Sequence, residues 1–173
     1  METIIVYKSN TGFTKEYAEL LKPRIEADEL IEIKKFNKKM IKEAYNLVFL
    51  GPLRNNVIEG LNKFLNHYDS MKEKNIFILC TGIQPITKEK RDDVVYANAL
   101  QKYHVRLYLL PGGMDLSRYQ GLKRKLITMI INIASKSRPE LKMIKDQHIN
   151  LVNGYNLDQM VNVFYKVNNT IDQ

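Results

Sequence analysis

The chain has 173 residues, 45% hydrophobic and 27% charged, with 27 Lys and Arg against 19 acids, a net charge of +8 and one cysteine. That length suits a single domain over residues 1–173, able to bury a core without metals or disulfides. The composition argues against disorder, Cys80 alone cannot form an intramolecular bridge, and apolar runs such as Leu47-Val48-Phe49-Leu50 are far too short to span a bilayer.

Strand and helix signals alternate along the chain. Thr3-Ile4-Ile5-Val6-Tyr7 is a continuous apolar run, as a parallel strand buried on both faces requires. It leads through a Gly-containing loop into a helix from about Thr14, with Tyr17, Ala18, Leu21 and Ile25 at helical spacing. Pro23 is expected to end or kink that helix, because it removes a backbone bond and crowds the preceding turn. Glu29 to Phe36 alternates, which suits a sheet-edge strand. Lys38 to Tyr45 reads as a short basic helix or turn, and Leu47 to Leu50 as a third strand closed by Gly51-Pro52. A third helix is expected over Glu59 to Tyr68, and a fourth strand over Asn75 to Cys80, ending in the turn Thr81-Gly82. A helix capped by Thr87 runs to about Gln101, and a fifth strand from His104 to Leu110 ends in Pro111-Gly112-Gly113. A long helix follows Ser117. A last one follows Asn156, where Asn156 and Gln159 have the spacing of a capping box. Five strands with interposed helices predict one doubly wound α/β domain.

In such a sheet, ligands sit beyond the C-terminal strand ends, where the strand order reverses. For the order 2-1-3-4-5 that point lies between the first and third strands. The first loop there carries the hydroxyls of Ser9, Thr11 and Thr14 around Gly12. Each hydroxyl can donate to a phosphate oxygen, and a glycine lets backbone N–H groups approach closely. The following helix adds its unpaired N–H groups and its positive dipole end. A turn that only caps a helix needs one Ser or Thr, not three around a glycine after a buried strand. Ser9-Asn10-Thr11-Gly12-Phe13-Thr14 after Val6-Tyr7 resembles the FMN-phosphate signature of flavodoxins. The resemblance implies a flavodoxin-like, five-stranded parallel sheet with helices on both faces, and FMN as cofactor.

By the same resemblance, the loops after the third and fourth strands hold the flavin ring. Here they read Gly51-Pro52-Leu53-Arg54-Asn55-Asn56 and Thr81-Gly82-Ile83-Gln84-Pro85. Asn55, Asn56 and Gln84 can bond the polar pyrimidine edge of a flavin. Short flavodoxins usually sandwich the ring between aromatic side chains, and neither loop has one. Leu53 or Arg54 is therefore expected to cover one ring face, with the other open to a partner or substrate. The chain is also similar to the flavodoxin-domain family that includes menaquinone-dependent protoporphyrinogen oxidase, and to small flavodoxin-domain proteins of the same build. That similarity lies in the phosphate loop, in Pro111-Gly112-Gly113-Met114 and in Arg118-Tyr119 leading to a basic, apolar helix. It implies electron transfer or flavin-dependent oxidoreduction, with a quinone acceptor in the enzyme version.

In the helix after Ser117, Leu122, Leu126, Met129, Ile130 and Ile133 mark one face, widened by Ile127, Ile131 and Ala134. Lys123, Arg124, Lys125, Lys136 and Arg138 flank it. So wide an apolar face is expected to be buried from two sides, or to touch a membrane or partner. Cys80, at the end of a buried strand, reads as packing. His67, His104 and His148 show no metal spacing, so no metal site is expected. No residue is assigned to acid–base chemistry, since a flavin carries the redox step itself. Two functional classes stand: a flavoprotein acting on a redox partner or small-molecule substrate, and a flavodoxin fold that has lost its flavin and serves binding or regulation. Nucleic-acid binding ranks last, because it rests on charge without a motif. The positive charge points to an acidic protein face or an anionic membrane surface. The lone cysteine and a start that enters a strand without a leader pattern lead to an expected cytoplasmic location, at most peripheral at a membrane.

Overall fold

The computed structural model describes residues 2–114, 121, 125, 128, 129, 132 and 149–169. Among these, parallel strands β1 (Glu2–Tyr7), β2 (Glu29–Glu32), β3 (Ala44–Arg54), β5 (Asn75–Gly82) and β6 (Arg106–Pro111) lie in the order β2-β1-β3-β5-β6. A two-residue strand, β4 (Val57–Ile58), pairs antiparallel with the end of β3. Counting the parallel strands alone, this is the expected order 2-1-3-4-5, with the alternating β2 at an edge.

The central strands are apolar in both directions because both faces are covered. Ile5, Val48, Leu50, Phe77 and Leu79 face a cluster with Tyr17, Ala18 and Leu21 of α1 (Phe13–Arg24) and Met160, Val161 and Phe164 of α5 (Asp158–Asn169). Ile4, Val6, Leu47, Phe49, Ile76 and Ile78 face the other way. They meet Ile41 of α2 (Lys38–Glu43), Leu61, Phe64 and Leu65 of α3 (Leu61–Leu65) and Val94 of α4 (Lys88–Ala97). Each of the Val, Leu, Ile, Phe and Met side chains, where fully buried, contributes about 1.5–3 kcal/mol. At the exposed edge, Arg91 donates to the Leu107 carbonyl at 2.6 Å and the Arg106 guanidinium lies 5.3 Å from the centre of the Phe77 ring. The two cations blunt an edge that would otherwise invite pairing.

Several boundaries differ from expectation. β3 does not close at Gly51-Pro52. Both stay in register with Cys80 and Thr81 of β5, and the strand runs to Arg54 before folding back as β4. Thr81 and Gly82 are likewise strand residues, opposite Leu110 and Pro111. Gly51 suits this run because a Cβ there would stand 2.7 Å from the Glu59 carbonyl oxygen. α1 passes through Pro23 and ends one residue later, and α3 is a single short helix led by Gly60 at φ 84. Thr87 caps α4 as expected, accepting from the Lys90 N–H at 3.1 Å. Asn156 does not form a capping box. Its amide donates to the Tyr17 hydroxyl at 2.7 Å and the Leu151 carbonyl at 3.1 Å, while Asn153 caps the turn that leads into α5. A small antiparallel hairpin of β7 (Gly113–Met114) and β8 (Ile149–Asn150) was not expected. The apolar and basic faces assigned to the helix after Ser117 lie largely outside the described residues.

Tyr17 ties these parts together. Fully buried on α1, its hydroxyl donates to the Pro111 carbonyl at 2.7 Å while accepting from Asn156. Tyr17→Phe removes both of these bonds, leaving Asn156 only its bond to the Leu151 carbonyl, and is expected to lower the unfolding free energy by about 1–3 kcal/mol, read as a shift in a denaturant midpoint. Burial raises the Tyr17 phenol above its ordinary value. Its contribution is therefore complete below the unfolded phenol's pKa of about 10 and is lost as pH rises through the folded value.

Candidate functional site at the switch between β1 and β3

β1 ends at Tyr7, and the Lys8 N–H donates to the Leu50 carbonyl at 2.8 Å, which holds the loop start beside β3. Gly12 then turns the chain at φ 96, a conformation that favours glycine. The Gly12 N–H donates to the Ser9 Oγ at 3.1 Å, closing the loop on itself. The Glu16 N–H donates to the Gly12 carbonyl at 2.9 Å and starts α1. Asn37 and Thr87 cap α2 and α4 with their side chains, whereas no side chain among the described residues caps α1. First-turn amides have no acceptor within their own helix and carry the positive end of its dipole. A closed glycine loop feeding such a helix start is a donor set for an anion.

Thr14 is 2% exposed, and its Oγ1 lies 2.8 Å from the Oγ1 of Thr81. This bond joins the Ser9–Thr14 loop to the end of β5, so two of the expected binding segments touch. Asn10, exposed, donates its side-chain amide to the Glu59 carboxylate, which also pairs with Arg54 at 3.6 Å. Glu59 follows β4, and next to it a Cβ on Gly60 would stand 3.0 Å from the Lys8 Cβ. The Ser9–Thr14 loop and the β3–β4 hairpin thus meet at Glu59, which carries no signal in the sequence because a single Glu between two short elements makes no pattern.

The segments expected to hold the ring are only partly brought together. Leu53 lies over Gly82, where an added Cβ would be 3.5 Å from the Leu53 Cβ. Pro52 is half-buried, and Arg54, Ile83 and Gln84 are exposed around them. Asn55 and Asn56, with φ of 48 and 67, form the two-residue tip of the β3–β4 hairpin, the role that Asn fills in turns of this hand. The Asn56 side chain points to α4: it accepts from Lys90 Nζ and donates to the Asp93 carboxylate at 3.4 Å. Asn98 donates to its carbonyl at 2.7 Å. Asn56 thus anchors the hairpin to α4, while Asn55 and Gln84 remain exposed beside the Leu53–Gly82 contact.

Cys80, one residue before Thr81, is 1% exposed among apolar neighbours. Burial pushes its thiol up to about 12. Since the thiolate is the nucleophile, the folded protein is expected to resist alkylation at pH 8 and to react fast only once unfolded, which mass spectrometry of iodoacetamide-treated samples reads directly.

Residues 4–140 match the family described as a flavodoxin domain. The chain belongs to the flavodoxin domain family. No curated protein matches the chain. Among solved structures, this flavodoxin domain is similar to a candidate flavoprotein from Bacteroides eggerthii, with 15% identity, a TM-score of 0.50 and coverage of 76% of this chain and 96% of that one. It is also similar to a flavodoxin from the domain Archaea, with 20% identity, a TM-score of 0.47 and coverage of 63% and 83%. A Fusobacterium nucleatum flavodoxin bound to flavin mononucleotide is 17% identical, with a TM-score of 0.42 and coverage of 62% and 68%. At 15% identity the likeness to the Bacteroides eggerthii protein speaks for the fold alone. No helix among the described residues is long and apolar enough to cross a membrane.

Proposed function

We propose that this flavodoxin domain binds FMN and moves electrons, either as a carrier or in flavin-dependent oxidoreduction of a small substrate. The observation that carries the reading is the start of α1: a left-handed Gly12, a loop closed by Ser9 and a helix end that no side chain among the described residues caps, at the switch point of the sheet. These groups fit a phosphate monoester. Ser9, Asn10, Thr11, Gly12, Phe13 and Thr14 supply its cradle, Leu53 covers one face of the ring, and Asn55, Gln84 and the backbone of Thr81–Gly82 reach its polar edge. When bound, the flavin supplies the acceptance and release of electrons. The protein's own part is to hold the phosphate, orient the ring at the mouth of β3 and β5, and leave one face accessible. The visible spectrum of the purified protein tests this, with chromatography of the flavin released on denaturation. Flavin bands and released FMN support it, whereas a colourless protein that takes up no added FMN contradicts it.

One observation favours the second reading, a fold that has given up its flavin and serves as a binding module. Neither ring loop offers an aromatic side chain, and the Asn56 amide is engaged on α4. The same spectrum separates the two.

The partner follows from charge. At +8 the surface is repelled by basic docking faces and attracted to acidic ones, an acidic redox protein or an anionic membrane. Lys123, Arg124, Lys125, Lys136 and Arg138 form the densest basic stretch in the sequence's apolar segment, and near an anionic bilayer each cation contributes about 1 kcal/mol. Flotation with anionic liposomes that disappears at high salt is the expected result for the membrane partner. Flotation equal with neutral lipid, or none at all, leaves the acidic protein as partner.

A further inference from the structure

Residues 12–14 are each fixed by a different part of the chain. The Gly12 N–H is held by Ser9, and the Thr14 hydroxyl by Thr81. Phe13, buried between them, seats its ring on Gly113 at the start of β7: a Cβ added there would fall within 2.6 Å of the ring's Cδ1 and Cζ. The rest of the β7–β8 hairpin lies along the same first turn of α1. The Asn150 amide donates to the Glu16 carboxylate at 3.5 Å, and the Tyr17 hydroxyl lies 3.4 Å from the Leu151 carbonyl oxygen. At its base the Leu151 N–H donates to the Gly112 carbonyl at 3.0 Å and the Gly112 N–H to the Gly82 carbonyl at 2.6 Å. The hairpin itself has two residue pairs, Gly113 with Asn150 and Met114 with Ile149. A hairpin that short has little stability of its own and takes it from what it rests on. What it rests on is the first turn of α1, whose amides are the donor set of the FMN reading above.

We propose that occupancy of the phosphate site and pairing of the β7–β8 hairpin are coupled through the seat of Phe13 on Gly113. This inference rests on the FMN reading above. A phosphate on the α1 amides steadies the Gly12–Thr14 backbone, which steadies the floor of the hairpin. By linkage, a hairpin in place holds Phe13 where those amides converge, so Gly113 acts as a positioning residue for a cofactor it does not touch. The hairpin joins the two ends of the chain segment from 115 to 148. That segment carries eight Lys and Arg and three acids, a net +5 of the total +8. Cofactor loading is thereby communicated to the anchor points of the most basic part of the molecule.

Hydrogen exchange of the full chain, alone, with FMN and with riboflavin, tests the coupling. Riboflavin carries the same ring without the phosphate. FMN is expected to slow exchange in peptides covering 112–114 and 149–151 by on the order of tenfold, inside the usual range for coupled sites, and saturating riboflavin is expected to leave them unchanged. Gly113→Ala is expected to weaken FMN at least about tenfold and riboflavin less than about twofold, and Phe13→Leu combined with Gly113→Ala to recover part of the loss. If the unsubstituted chain binds FMN but the hairpin peptides exchange as before, or if Gly113→Ala binds FMN as tightly as the parent, the coupling is overturned while the FMN reading stands. If the unsubstituted chain binds no FMN, that reading falls and the coupling with it.

Discussion

Phe49→Ala is expected to cost about 3–5 kcal/mol of folding stability, as removal of a whole buried ring does when the surroundings cannot close on the space. Phe49 is fully buried at the centre of β3, its ring centre 5.1 Å from that of Phe64 on α3. The ring also reaches the site. Cβ atoms added to Gly51 and Gly60 would stand 2.9 Å and 3.4 Å from its edge, so it packs beneath both backbone stretches that frame the β3–β4 hairpin. The loss should therefore appear twice: as a lower denaturant midpoint, and as faster local exchange across 51–60 in the still-folded protein. Phe49→Leu keeps most of the volume and is expected to lose clearly less. An alanine variant within about 1 kcal/mol of the parent would show that the cluster is not packed as described.

Thr11→Val is expected to reduce FMN affinity about ten- to a hundredfold, because a hydrogen bond to a charged group is worth roughly 1.5–3 kcal/mol. The fold is expected to persist, since Thr11 lies half-buried in the loop rather than in the core. Thr14→Val divides its effect differently. The Thr14 hydroxyl is paired with that of Thr81 in a buried position, so valine leaves Thr81 without this partner and is expected to lower stability by about 1–3 kcal/mol before any cofactor is added. Thr14→Val with Thr81→Val removes both groups and should recover much of that stability without recovering affinity. Affinity by flavin fluorescence and stability by denaturation, measured on all four proteins, separate the two roles. Equal FMN affinity in Thr11→Val and the parent would remove Thr11 from the phosphate contacts.

The sheet was legible because each central strand carries a bare apolar run and α1 and α3 an apolar stripe, signals that need no tertiary information. The alternation in β2 even placed it at the edge. What escaped was set by contacts distant in sequence. Gly51-Pro52 and Thr81-Gly82 read as punctuation, yet the β3–β5 and β5–β6 ladders carry them as strand. Asn156 and Gln159 have the spacing of a capping box, but a buried tyrosine hydroxyl 139 positions earlier takes the Asn156 amide. The loop from Ser9 to Thr14 stands out in the sequence as a local pattern of hydroxyls and glycine. Its supports were not, because Thr81, Glu59 and Gly113 have no local signature of the job each does there. Asn56 read as a ring ligand by its chemistry alone, and only the position of α4 shows where its amide goes.

The central claim is that the loop from Ser9 to Thr14 holds the phosphate of FMN, and calorimetric titration of the flavin-free protein with FMN, riboflavin and FAD tests it most directly. FMN is expected to bind with one site per chain and more than about tenfold more tightly than riboflavin, the difference being the hydroxyl and amide bonds to the phosphate. FAD, whose phosphate continues into a second nucleotide, is expected to bind more weakly than FMN. FAD binding as tight as FMN, or riboflavin equal to FMN, would contradict the account.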